Sequence, residues 1–164
     1  MKQNIVLIGM MGCGKSTVGR LLARRTGRRL VDTDQRIEEA LGRSIPDIFA
    51  KEGEAFFRDW ELGVSEELAR ERELVIACGG GLPTRPDSIA SLKYSGIVFW
   101  LNRDPGEIYD AVSMAGRPLG QGGREAFLER FAQREPIYRQ WADYVITDFS
   151  SPEATVGAIL EVLP

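Results

Sequence analysis

A glycine-rich segment near the amino terminus constrains this chain more than any other feature. Residues 9–16 read GMMGCGKS and fit the pattern GxxxxGK[ST] at every fixed position. An apolar run precedes the segment at 5–8, and a helical pattern, VGRLLARR, follows it at 18–25. The glycines let successive backbone N–H groups point inward, and the helix that follows adds the positive end of its dipole. The segment therefore predicts a phosphate-binding loop between a buried strand and a helix.

The polar residues of this loop predict a nucleoside triphosphate, ATP or GTP, and a metal ion as ligands. Lys15 would reach the β and γ phosphates, and the hydroxyl of Ser16 would bind Mg²⁺. The predicted nucleotide-binding residues of the loop are Gly12, Cys13, Gly14, Lys15, Ser16 and Thr17. The alternative is a glycine-rich turn that binds no nucleotide, and the strand and helix around the loop argue against it.

Short apolar runs alternate with longer helical patterns along the whole chain. Such runs, read as strands, occur at 5–8, 29–31, 74–77, 96–101 and 144–147. Strands separated by helices pair in parallel through right-handed crossovers, which gives a three-layer α/β fold. A length of 164 residues suits one domain, so we expect a single P-loop domain over 1–164.

Two stretches break the alternation of strand and helix. Residues 34–72 carry three helical patterns in succession, more than one crossover requires, and we interpret them as a helical substrate-binding subregion. Residues 113–124, SMAGRPLGQGGR, have four glycines and no periodicity. That composition is typical of a loop, and we expect it to act as a lid over the site.

The composition excludes several classes of function. The chain has no histidine, so mechanisms that need an imidazole base are ruled out. A net charge of −3 argues against nucleic acid as a partner. No apolar run approaches the roughly 18 to 20 residues that cross a bilayer, and the first apolar run is too short for a signal peptide. We therefore expect a cytoplasmic protein that binds neither nucleic acid nor membrane, with a monomer as the default.

Two carboxylates follow the second predicted strand, at the edge where open α/β sheets bind ligands. Asp32 would hold a water on Mg²⁺, and Asp34 would accept a hydrogen bond from the hydroxyl that is phosphorylated. The alternative is that Asp34 only caps the helix that begins after it. Spacing alone leaves both interpretations of Asp34 open.

The motifs together resemble those of a known family, the bacterial shikimate kinases. The chain contains, in the family's order, GMMGCGKSTVGRLLA, VDTD, SIPDIFAKEGEAFFRDWE, CGGG, GRPL and REPIYRQWAD. The resemblance covers nearly the whole chain. It implies a fold like that of nucleoside monophosphate kinases, with a five-stranded parallel sheet in the order 2-3-1-4-5. It also implies transfer of the ATP γ-phosphoryl group to the 3-hydroxyl of shikimate, a step toward chorismate and the aromatic amino acids.

The resemblance also implies roles for individual residues. Asp34 would bind the ring hydroxyls of shikimate, Arg58 and Arg139 would bind its carboxylate, and Glu61 would orient Arg58. The remaining implied site residues are Gly79, Gly80 and Gly81, which would let the backbone approach the ring closely, Arg117, which would close over the transferring phosphate, and Pro152, which would form one wall of the adenine site. Lys15, Asp34 and Arg117 would thus be the catalytic residues.

Other interpretations stay open at this point. Arg58 and Glu61 are three residues apart on a predicted helix, which also suits an ordinary surface ion pair. Asp110 stands where the family often has an arginine that stacks on adenine. A related kinase for another hydroxy acid, such as gluconate, is the nearest alternative function. A nucleotide-dependent switch is a second, although 102–104 does not match the guanine motif NKxD.

Overall fold

A computed structural model of the chain describes residues 3–114 and 122–164. Five strands lie in these residues: β1 (Asn4–Ile8), β2 (Arg29–Asp32), β3 (Leu74–Ala77), β4 (Gly96–Leu101) and β5 (Tyr144–Ile146). The described helices are α1 (Lys15–Thr26), α2 (Thr33–Leu41), α3 (Ile45–Glu52), α4 (Glu54–Ala69), α5 (Pro86–Ser95), α6 (Pro105–Met114), α7 (Gly123–Trp141) and α8 (Pro152–Val162). A short 3₁₀ helix, Leu82–Thr84, follows β3.

The strands form one parallel sheet in the order β2-β3-β1-β4-β5, which confirms the predicted topology. Strand β1 lies at the centre, with Ile5 paired to Val75 of β3 and to Ile97 of β4. Every residue of β1 is buried, because helices cover both faces of the sheet and leave no face that needs polar side chains. Because the strands are parallel, the carboxyl ends of all five lie at the same edge of the sheet, and the loops after β1, β2 and β3 meet there.

The core lies between this sheet and the two layers of helices. Helix α1 packs against α8, and α5 packs against both α4 and α7. The largest fully buried side chains include Trp100 and Phe99 of β4 and Tyr138 of α7. Burying one large apolar side chain contributes about 1.5–3 kcal/mol, so this layer fixes α7 firmly against the sheet.

Three helices fill the predicted helical subregion, in which α4 packs on both α2 and α3. Ser44 caps α3 by accepting a hydrogen bond from the Asp47 amide at 3.3 Å. Gly53, at φ 87°, makes the turn from α3 into α4 in a conformation that favours glycine. That these helices bind the substrate stays a prediction.

The predicted lid falls largely outside the described residues. Of 113–124, the structure describes only the end of α6, residue 122 and the start of α7. Arg117 lies outside the described residues, so its predicted role stays a prediction. Within the described ranges, no helix combines the length and the apolar character that a bilayer crossing requires.

Candidate active site

The segment GMMGCGKS forms the loop between β1 and α1, and its glycines have the conformations that such a loop needs. Gly9, Gly12 and Gly14 have φ values of 149°, 84° and 104°, where L side chains are strained. A Cβ at Gly9 would also lie 2.9 Å from the carbonyl oxygen of Leu101. Glycine is thus required here both by backbone conformation and by the closeness of β4.

Lys15 is the first residue of α1, and its ammonium group is turned back into the loop. Its Nζ donates hydrogen bonds to the carbonyl oxygens of Gly9, at 2.7 Å, and Met10, at 2.9 Å. The residue is 9% exposed, so two backbone dipoles hold its charge in a largely buried place. A phosphate oxygen entering the loop would offer this ammonium a full negative charge in place of those dipoles.

Ser16 and Asp32 lie next to each other at the mouth of the loop. The Ser16 hydroxyl donates to Oδ2 of Asp32 at 3.3 Å. Oδ1 of Asp32 accepts from the amides of Asp34, at 2.9 Å, and Gln35, at 3.1 Å, and so caps α2. A hydroxyl beside a carboxylate is an all-oxygen donor set, which fits Mg²⁺, an ion that binds few protein ligands and keeps several waters.

Asp34 does not cap α2, because Asp32 does. Its carboxylate instead lines two cavities, a cleft of about 350 Å³ over the phosphate loop and a second cavity of about 640 Å³. Burial raises the pKa of Asp34 to about 6; Asp32 adds to the rise, while Lys15 and Arg58 oppose it. The helix-cap alternative is therefore wrong, and Asp34 stands where the two cavities meet.

The second cavity, which we call the acceptor pocket, combines an apolar wall with charged groups. Its apolar wall comes from Ile45, Pro46, Phe49, Ala50 and Phe57 of the helical subregion, and its charged groups are Asp34, Glu54, Arg58, Glu61, Arg130 and Arg134. Gly79, Gly80 and Gly81 form its floor. Such a pocket fits a small anionic molecule with one apolar face.

Arg58 and Glu61 form a buried ion pair in this pocket. Nη1 of Arg58 donates to Oε1 of Glu61 at 2.6 Å, and the Glu61 side chain is only 1% exposed. The alternative of a surface ion pair is therefore wrong. Oε2 of Glu61 has no hydrogen-bond partner within the described residues. Burial raises the pKa of Glu61 to about 7, although the Arg58 guanidinium opposes the rise.

The three glycines of the floor leave room for charged side chains. A Cβ at Gly79 would clash with the Asp34 carboxylate, and one at Gly81 would clash with the Arg58 guanidinium. A Cβ at Gly80 would lie 3.4 Å from Nη1 of Arg134. The floor therefore consists of glycines because the charged groups of the pocket lie directly on the backbone.

Among the described residues that were predicted to bind the acceptor, Arg139 is the one that does not line the pocket. It is exposed, and its guanidinium lies over the Trp100 ring, 5.0 Å from the centroid. Arg134 lines the acceptor pocket instead. Successive residues on a helix point about 100° apart, whereas residues four apart share a face. Since Tyr138 points toward Gly80, Arg134 points toward the pocket and Arg139 points elsewhere.

The adenine side has fewer features that would identify it. Pro152 begins α8, which Ser151 caps by accepting from the Ala154 amide at 3.0 Å. Asp110 of α6 forms an ion pair at 3.1 Å with Arg124 of α7. Asp110 is therefore occupied by a neighbouring helix, and the part that Pro152 would play toward adenine stays a prediction.

Comparison with known proteins agrees with this geometry. A sequence model of the shikimate kinase family matches residues 11–164. The chain belongs to this family. It is 44% identical over 168 residues to a shikimate kinase of Symbiobacterium thermophilum, covering 98% of this chain and 95% of that protein. It is 39% identical over 159 residues to one of Persephonella marina, covering 96% and 97%.

Among solved structures, a shikimate kinase from Acinetobacter baumannii in complex with shikimate superposes with a TM-score of 0.90. The two chains are 38% identical, and the match covers 99% of this chain and 93% of that one. The fold of the shikimate kinase family is thus present along nearly the whole chain.

The sequence analysis did not identify three residues that lie in or beside the acceptor pocket. These are Arg130 and Arg134, which line the pocket, and Tyr138, which touches its floor. A signal was available, because the three lie at spacings of four along one predicted helix and so share a face. The sequence does not tell which face of that helix packs against the sheet, and the structure shows it.

Proposed function

We propose that this chain transfers the γ-phosphoryl group of ATP to the 3-hydroxyl of shikimate, with Mg²⁺ as the metal. One observation carries the proposal: the Asp34 carboxylate lines both the phosphate-loop cleft and the acceptor pocket. A hydroxyl bound to Asp34 from the pocket side would face the end of a phosphate chain bound in the loop. Membership of the shikimate kinase family supports shikimate as the acceptor.

The acceptor would be bound by charge and by shape. Arg58 and Arg134 carry planar guanidinium groups, which suit the carboxylate of the acid because each presents two parallel donors. Glu61 holds Arg58 in place through its buried ion pair. The apolar wall around Phe49 and Phe57 would cover the carbon face of the ring.

Positioning and electrostatics would provide most of the rate acceleration. Lys15 would leave the carbonyl groups that hold it and bind the transferring phosphate, while Asp34 would accept the hydrogen bond of the attacking hydroxyl. Ser16 and Asp32 would hold Mg²⁺, which neutralises phosphate charge. Arg117 is proposed to close over the same phosphate.

The proposal includes a cytoplasmic monomer that binds neither nucleic acid nor membrane. The net charge of −3 supports the absence of nucleic-acid binding, since phosphate backbones attract basic faces. Light scattering after gel filtration would check the oligomeric state, and a dimer mass would contradict that part of the proposal.

The test is a coupled ADP-release assay on a panel of hydroxy acids that includes shikimate, quinate and gluconate. We expect ADP release with shikimate and only background release with the others, and ³¹P NMR should find one phosphate monoester at the 3-hydroxyl. The Lys15→Met variant controls for contaminating kinases. Turnover of gluconate with none of shikimate would support the related hydroxy-acid kinase, and ATP binding without any transfer would support the nucleotide switch.

A further inference from the structure

The hydroxyl of Tyr138 lies at the back of the acceptor pocket floor, in a fully buried place. The residue is 0% exposed, and its ring packs beside that of Trp100 with centroids 5.8 Å apart. A tyrosine hydroxyl buried in a core needs a hydrogen-bond partner, because it has given up its hydrogen bonds to water. What this hydroxyl binds is therefore set by the fold.

Its partner is the backbone of the glycine floor. The Tyr138 hydroxyl donates to the carbonyl oxygen of Gly80 at 2.6 Å. The sulfur of Met10, the second residue of the phosphate loop, lies 3.6 Å from the same hydroxyl. The hydroxyl has one proton, and the short distance assigns it to the carbonyl. Burial raises the pKa of this hydroxyl to about 12, and the positive charge of Arg134, one turn earlier on α7, opposes that rise. The hydroxyl thus contacts the floor of the pocket directly.

The hydrogen bond to Gly80 has a consequence for the next amide. A peptide unit is planar, so the carbonyl of Gly80 and the N–H of Gly81 point in opposite directions and turn together. Glycine backbones otherwise rotate more freely than any other. Within residues 3–114 and 122–164, neither the Gly80 nor the Gly81 amide donates a hydrogen bond to another residue. Both residues line the acceptor pocket, where an oxygen of the acceptor can accept hydrogen bonds from these amides.

We propose that Tyr138 is a positioning residue of the acceptor site. It fixes the peptide between Gly80 and Gly81 without touching the acceptor itself. The inference rests on the proposed function only for the identity of the acid. The hydrogen bond on which it depends is a property of the ligand-free protein.

The kinetic test compares Tyr138→Phe with Tyr144→Phe. The first change removes the buried hydroxyl and keeps the ring, while the second removes a hydroxyl from a partly exposed tyrosine of β5. We expect Tyr138→Phe to raise the KM for shikimate about tenfold and to leave the KM for ATP within about twofold. Tyr144→Phe should change neither. Assays run well below both melting temperatures separate this split from a general loss of structure.

A second measurement needs no substrate. In ¹⁵N-glycine-labelled protein, Tyr138→Phe should move the Gly81 amide resonance more than that of any glycine away from the floor, and Tyr144→Phe should leave it in place. If the wild type phosphorylates a different acid of the panel, shikimate fails as the acceptor and the KM comparison is made with that acid. If the acceptor KM and the Gly81 resonance are both unchanged in Tyr138→Phe, or if the KM values for acid and ATP rise equally, the positioning role is wrong.

Discussion

The phosphate loop and the acceptor pocket meet at Asp34, but they are built in different ways. The loop is one contiguous segment, residues 9–16, and it offers backbone N–H groups and a single lysine held by two carbonyl groups. The pocket combines side chains from α2, α3, α4 and α7 with the glycines after β3. The loop would recognise phosphate through backbone conformation, whereas the pocket would recognise an acid through side chains that four helices bring together.

This difference also appears in the electrostatics. Among the carboxyl groups that line the acceptor pocket, Asp34 and Glu61 have pKa values that burial raises to about 6 and about 7. Protonation of such groups falls within the range of ordinary assays. We therefore expect changes in the loop to reduce catalysis with any acceptor, and changes in the pocket to alter acceptor binding and its pH dependence.

The largest expected effect comes from the loop. Lys15→Met removes the cation that would bind the transferring phosphate, so kcat should fall about 10²–10³-fold at saturating shikimate. Lys51→Met is the matched control, since Lys51 is an exposed lysine paired with Asp47, and its kcat should stay near that of the wild type. A loss smaller than tenfold in Lys15→Met would mean that the loop lysine is not needed for transfer.

The next effect distinguishes two arginines of α7. Arg134→Ala should raise the KM for shikimate about 10- to 100-fold, because a hydrogen bond to a charged group contributes about 1.5–3 kcal/mol. Arg139→Ala should change that KM less than twofold, because Arg139 lies over Trp100 instead. Steady-state kinetics with ATP saturating measures both. The opposite order of effects would restore Arg139 to the site and contradict the pocket as described.

A smaller effect concerns pH. Since Asp34 has a pKa of about 6, the ionised carboxylate that accepts the hydroxyl proton is lost as the pH falls below that value. The kcat/KM for shikimate should therefore drop about tenfold per pH unit on the acid side, and Asp34→Asn should be slow with no such limb. Glu61→Gln separates a contribution from the second carboxyl group. If kcat/KM still falls at low pH in Asp34→Asn, the titrating group is a residue other than Asp34.

The smallest effect is on stability. Folding raises the pKa of Asp34, so the folded state binds the carboxyl proton more tightly than the unfolded state does. The stability that this proton contributes to the folded state is present below about pH 4 and is lost as the pH rises to about 6. Asp34→Asn removes this charge and should raise the Tm at pH 8 by a few degrees, roughly 2–4 °C per kcal/mol. Below pH 4 the two proteins should melt alike. A lower Tm for the variant at pH 8 would mean that the carboxylate stabilises the fold.

The difference between the two halves also decides what the sequence could predict. The phosphate loop could be predicted because its function depends on local backbone conformation, and glycine at fixed spacing encodes that conformation directly. The strand order came from the family resemblance, and the sheet confirms it. The sequence analysis offered Asp34 as the alternative cap of α2 and was wrong there, because the helix begins at Thr33 and Asp32 caps it.

The acceptor side was harder because its residues come together only in three dimensions. Spacing of three on a helix fits a surface pair as well as the buried Arg58–Glu61 pair, since spacing carries no information on which face is covered. Arg134 and Arg139 stand on either side of Tyr138, and choosing between them requires the rotation of α7 against the sheet. The spacing of residues tells which side chains share a face of a helix. Only the packing of the helix tells which of its faces points to the pocket.

The most direct test of the acceptor pocket is a calorimetric titration of the nucleotide-free protein with shikimate, alongside Arg134→Ala and Arg139→Ala. We predict saturable binding of one shikimate per chain to the wild type and to Arg139→Ala, and binding at least tenfold weaker to Arg134→Ala. ATP should bind all three proteins alike. No shikimate binding to the wild type, or equal binding to Arg134→Ala, would contradict the account.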